Sequence, residues 1–190
     1  MTTTQHTKDG YLRDSQRRKL YRAENRALNH HTLGQQYETV LDCHEYLMGI
    51  IERKTFKRWF PKAARTLVWR LEVRPGYGAR RAFAMGRWGI TLPRWGRNEP
   101  VMIHELCHLV VDYEFPRHEV AWHGWQFCQT YLKIVGNVMG PEAAARLKAE
   151  FKAEGVRFTP PRKKREMTEA DKQVLRDRLV VARAAKARKQ

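Results

Sequence analysis

No apolar run in this chain of 190 residues approaches 18 residues, so a membrane-spanning helix is not expected. The opening Met1-Thr2-Thr3-Thr4-Gln5-His6 lacks the apolar segment of a secretion signal, and the expectation is a cytoplasmic protein. Cysteine is scarce: Cys43, Cys107 and Cys128 are the only three. An odd number in a reducing compartment implies no disulfide framework. All three read as small buried hydrophobes, with Cys128 also weighed as a metal ligand. Acidic residues are few as well, 20 Asp+Glu against 37 Lys+Arg, which leaves a formal charge of +17. That balance points to an anionic partner, most simply nucleic acid, with a merely solvated basic surface as the plain alternative. No zinc finger, recognition helix or RNA-binding signature accompanies the charge, so any nucleic-acid contact is expected to be nonspecific.

What is present is His104-Glu105-Leu106-Cys107-His108, with His123-Gly124 fifteen residues further on. Residues four apart stand on one helical face, so His104 and His108 can aim at one point. Glu105 then sits about 100° round the helix, beside an ion rather than on it, where a carboxylate can take a proton from water. Asn98-Glu99-Pro100 is a good helix start, with an Asn cap, an early acid and an early proline. Met102, Leu106, Leu109 and Val110 form one stripe of this helix, while His104, His108 and Asp112 form another. A third ligand completes a zinc site with an open fourth position. His123 is the leading candidate for it, with Glu119, His118 and Glu114 as rivals.

Around this motif the chain reads as α+β. Residues 1–11 look disordered, and a helix is expected from Asp14 or Ser15 to Ala27. The paired His30-His31 reads as a helix end rather than a metal site. A second helix is expected from Gln35 to about Glu52, with His44 structural, and the helical pattern stops at Pro61. Leu67, Trp69, Leu71 and Val73 alternate at period two, followed by Ala82–Met85 and Trp88–Leu92; short connections make these a three-stranded antiparallel meander. After the metal helix, Glu119 or Val120 is expected to begin a helix carrying His123, and 142–154 a short one capped by Gly155. Thr159-Pro160-Pro161 reads as a linker. Beyond it Arg162-Lys163-Lys164-Arg165 forms a basic cluster, and Thr168 with Asp171 resembles a capping box for a final helix. Residues 162–190 hold 11 Lys+Arg against 4 Asp+Glu, a net +7 that can clamp phosphates without reading sequence.

A helix, a small meander, HExxH and then His123-Gly124-Trp125-Gln126-Phe127 together resemble the SprT-like zinc metallopeptidase domain. More narrowly, Asp14-Ser15-Gln16-Arg17-Arg18-Lys19-Leu20-Tyr21-Arg22-Ala23-Glu24 resembles a segment of a short family of actinobacteria and their phages described as metallohydrolases. The resemblance covers residues 12–158 and implies a zincin-like fold in which the HExxH helix and a following helix form the metal site. It implies that His104, His108 and His123 hold Zn2+, that Glu105 is the general base, and that the substrate is a protein or peptide. An extended substrate would pair along the strand Trp88–Leu92. SprT-like proteins are associated with DNA, although the Cys-rich zinc ribbon that many of them carry is absent here. Asp112 is a candidate partner or gate near the ligands, with a solvated helix-end carboxylate as the alternative. Tyr113, Arg117 and Tyr131 are unranked candidates for stabilising an oxyanion. The competing readings are a zinc hydrolase of another amide or isopeptide bond, and a non-catalytic DNA-associated protein braced by its metal.

Overall fold

A computed structural model describes residues 7–8, 10–28, 35–78, 81–161 and 167–187. His30-His31 and the basic cluster Arg162, Lys163, Lys164 and Arg165 lie outside the described residues. The chain divides into two units, Met1–Pro160 and Pro161–Gln190, parted within the Thr159-Pro160-Pro161 segment. The first is α+β, with helices α1 (Arg17–Leu28), α2 (Val40–Ile51), α3 (Lys54–Trp59), α4 (Pro61–Arg70), α5 (Glu99–Glu114), α6 (Trp125–Val138) and α7 (Pro141–Ala153). Its strands are β1 (Glu72–Pro75), β2 (Phe83–Met85) and β3 (Gly89–Leu92).

Helix α5 is the centre of this unit. Every residue from Pro100 to Asp112 is buried, so the helix is covered all round and its histidine stripe is as enclosed as its leucine stripe. Asn98 caps it by accepting from the Val101 N–H, and Pro100 occupies the first turn, where its missing N–H costs nothing. Helices α6 and α4 and strands β2 and β3 pack against α5, while α7 lies on α6 and α1 on α7. Leu20, Leu47, Leu67, Ile90, Phe127, Tyr131 and Phe151 fill the shared core at under 2 % exposure.

Two expectations about the sheet fail. Leu67–Val73 is not one strand: Pro61 opens α4 instead of ending helical structure, and Ala63, Ala64 and Leu67 are its buried stripe. Leu67, Trp69 and Leu71 satisfy period two only by coincidence, since Trp69 is 86 % exposed on the helix and the strand begins at Glu72. Nor is the sheet an antiparallel meander. Its order is β1-β3-β2, with β1 parallel and β2 antiparallel to β3. The last strand in sequence is therefore the middle one, and its four residues are all buried. This removes Trp88–Leu92 as the free edge: β3 has both sides paired, and among the described residues β1 and β2 each keep one side open.

The expected disordered arm is also too long. Tyr11 is buried and stacks on Trp122 at 4.2 Å, and Leu12 forms a parallel bridge with Ala121. The Tyr11 hydroxyl donates to Asp112, whose carboxylate also takes Arg117 Nε at 2.6 Å and Arg87 Nε at 3.2 Å. Burial works to raise the Asp112 pKa, but the hydrogen bonds from Arg117 and Tyr11 and both guanidinium charges hold it below the usual carboxylate range. Asp112 thus ties the N-terminal segment, the β2–β3 turn and the loop after α5 to one point.

In the second unit, α8 (Glu169–Ala187) begins with the expected capping box: the Thr168 backbone N–H donates to the Asp171 carboxylate, and the Asp171 N–H to the Thr168 hydroxyl. Leu175, Leu179 and Val181 are exposed on it, beside the cations Lys172 and Arg176. No described helix is long and apolar enough to cross a membrane.

Candidate metal centre

His104 and His108 lie one turn apart on α5, as the motif requires, and their Nε2 atoms are 3.2 Å apart. His123 is not on α6. It sits in the turn Ala121–Gly124 just before that helix, and its Nε2 lies 3.3 Å from that of His104. The turn explains the glycine after it: a Cβ on Gly124 would come within 3.1 Å of the Ala121 carbonyl oxygen, so a side chain there would make the turn around His123 give by a few tenths of an ångström. Gly124 serves this backbone turn rather than a close approach of two helices. The three rings are buried, and their ligand atoms all fall within 4.8 Å of one another.

Two carboxylates from the first segment of the chain orient these rings. Glu24, on α1, accepts from His104 Nδ1 at 3.0 Å, and Asp14 accepts from His123 Nδ1 at 2.6 Å. Burial acts to raise the Asp14 pKa, but its hydrogen bond and charge interaction with His123 hold it low, so it stays an acceptor. With Nδ1 carrying the proton, each Nε2 presents a bare lone pair inward. Burial, followed by the neighbouring His123 and His104 and the Arg17 charge, pushes the His108 pKa well below the usual imidazole value. His108 is therefore neutral, and its Nδ1 has no hydrogen-bond partner among the described residues.

Imidazole nitrogens this close share either a proton or a cation. Tetrahedral ligands about 2.05 Å from an ion stand about 3.3 Å apart, which matches the two Nε2 separations. The three histidines can therefore hold a metal ion. Phe127, fully buried, floors the cluster, with its ring centroid 4.9, 4.6 and 5.1 Å from those of His104, His108 and His123. Beneath it Tyr131 donates to Glu24 at 2.5 Å, which completes a buried chain from tyrosine to carboxylate to imidazole.

Glu105 lies outside the three-histidine cluster. Its carboxylate accepts from the backbone N–H of Ala84 on β2, while burial, opposed by that bond and aided by the Glu24 charge, pushes its pKa up to about 8. A dication beside it would favour the ionised form and reverse that tendency.

The rival ligands are elsewhere. Glu114 accepts from the backbone N–H groups of Lys62 and Ala63 and so caps the start of α4. His118 and Glu119 form an exposed pair at 3.6 Å. Cys128 is buried behind the site, its thiol against the His123 carbonyl at 3.8 Å. Asp112 and Tyr113 are engaged outside the cluster, Asp112 in the ion pairs above and Tyr113 under the Arg87 guanidinium at 4.5 Å. Asp14 and Glu24 are the residues that motif reasoning missed. A signal existed, because Glu24 falls between Ala23 and Ala27 on the apolar stripe of α1, and an acid there needs a buried partner.

Replacing Glu24 with Gln should lower the affinity for a divalent metal ion by about 10- to 100-fold while leaving the circular dichroism spectrum unchanged, as measured by competition with a chelating dye. Unaltered affinity would show that Glu24 does not set the His104 ring. Comparison with protein-family models, curated proteins and solved structures finds no match to this chain.

Proposed function

We propose that this protein is a zinc-dependent hydrolase of amide bonds, most simply a peptidase of the SprT-like, zincin kind that its motifs resemble. The observation that carries the reading is the joint placement of three buried imidazoles, with two of their nitrogen pairs at the spacing of tetrahedral ligands, and one neighbouring carboxylate outside that cluster. A purely structural site needs no such carboxylate, and it closes its shell with four protein donors. Among the described residues, the ligand cluster contains three.

Zinc bound there would lower the pKa of a water toward 7 and polarise the scissile carbonyl. Glu105, held by the Ala84 N–H, accepts the proton of the attacking water and returns it to the leaving nitrogen. His104 and His123 are fixed in one tautomer by Glu24 and Asp14, so neither competes for that proton. An extended peptide would pair along the open side of β2, the strand that also steadies Glu105. The net positive charge supports work near nucleic acid, contacted nonspecifically through the C-terminal unit.

The test uses an unfolded protein such as casein. Purified protein should cleave it, lose more than about tenfold of that activity with a chelator, and recover on addition of Zn2+. Hydrolysis that ignores the chelator would overturn the reading. A protein that holds one zinc yet cleaves nothing would favour the alternative in which the metal only braces a DNA-associated fold.

A further inference from the structure

Helix α1 places a further aromatic ring, in addition to that of Phe127, against the cluster. The Tyr21 ring lies 5.6 Å from that of His104 and 5.3 Å from that of His123, and the residue is 37 % exposed. It therefore covers two ligand rings while remaining in contact with solvent. Arg17, one helical turn earlier on the same face, places its guanidinium 5.6 Å from the centre of the Tyr21 ring, and among the described residues it forms no ion pair. The other hydroxyl and guanidinium candidates near the site are committed: Tyr131 to Glu24, Arg117 to Asp112, and Tyr113 beneath Arg87.

We propose that Tyr21 is the hydrogen-bond donor for anionic oxygen at this metal centre, and that Arg17 is the positioning residue that holds its hydroxyl there. In amide hydrolysis, on which this assignment of role rests, the hydroxyl serves the carbonyl oxygen as it becomes negative. Water adds to the carbonyl carbon, the C–N bond breaks, and Glu105 moves the proton from water to the leaving nitrogen; Tyr21 neither gains nor loses a proton. The arrangement divides labour between two elements, since β2 steadies the base and α1 supplies the donor. A donor placed in advance acts where charge develops, and losing one such donor elsewhere lowers kcat by about 10²- to 10³-fold. A tyrosine that only packed against the imidazoles would need its ring and not its oxygen, so phenylalanine separates the two roles.

The test compares the full chain with its Tyr21→Phe, Arg17→Met and Arg17→Lys variants, each checked for equal metal content. Casein hydrolysis by Tyr21→Phe should fall about 10²-fold in kcat, with KM within about threefold. A second readout needs no turnover: Co2+-loaded protein is titrated with acetohydroxamate and followed by its visible absorption. Tyr21→Phe should bind the hydroxamate about tenfold more weakly, as expected for one lost charge-assisted hydrogen bond. Arg17→Met should show part of that loss, and Arg17→Lys should restore it. Equal hydroxamate affinity for the tyrosine and phenylalanine proteins overturns the donor assignment. If the unaltered protein cleaves nothing while the hydroxamate still distinguishes them, the hydrolase reading falls and the donor assignment stands.

Discussion

Glu105→Gln should lose casein hydrolysis by on the order of 10³-fold or more while keeping its zinc. The amide is nearly isosteric with the carboxylate, so it can remain against β2, where its carbonyl oxygen accepts from the Ala84 N–H as the carboxylate does. What it cannot do is take a proton. Because Glu105 ligates nothing, metal content measured by elemental analysis should remain one ion per chain, and the far-ultraviolet spectrum should not change. Activity equal to that of the unaltered protein would remove Glu105 as the base, and loss of the metal would make it a ligand. Either result would end the mechanism proposed above.

Metal removal should have the other large effect, on stability. A ligand present at about a thousand times its dissociation constant stabilises the folded state by about 4 kcal/mol. For a chain of this size that corresponds to a fall in Tm of about 8–16 °C after chelation, read by thermal denaturation. The loss should grow with pH. In the metal-free protein, burial raises the Glu105 pKa from 4.5 to about 8, so the folded state keeps a proton that the unfolded state releases. Its contribution is fully present below about pH 4.5 and is lost as pH rises toward 8. Zinc favours the ionised carboxylate and offsets that loss, so Glu105→Gln should flatten the pH dependence of the metal-free protein. A Tm unmoved by chelation would show that three converging histidines hold no ion worth folding energy.

The histidine pair was legible because it is local. Spacing along one helix places His104, His108 and Glu105 whatever the surrounding fold, and Asn98 with Pro100 announces where that helix begins. The extent of α1 and α7 and the capping box of α8 were legible for the same reason. Strand order was not, since nothing within Glu72–Pro75 or Gly89–Leu92 states that the second inserts beside the first and runs parallel to it. The stretch Leu67–Leu71 fitted both periods, and the stripe of Ala63, Ala64 and Leu67 decided for the helix.

The residues that make the histidines into a site come from far along the chain. Glu24 meets His104 across 80 positions and Asp14 meets His123 across 109, contacts that no window of sequence contains. The sequence by itself determined the histidine pair, the acid next to it and the charge, because those follow from side-chain chemistry and short-range geometry. Only the tertiary structure decided which carboxylates meet the histidine rings, which strands keep an open edge, and which tyrosine lies against two of those rings. Those depend on the packing of α1 and β2 around α5, a matter of buried surfaces and not of neighbours in the chain.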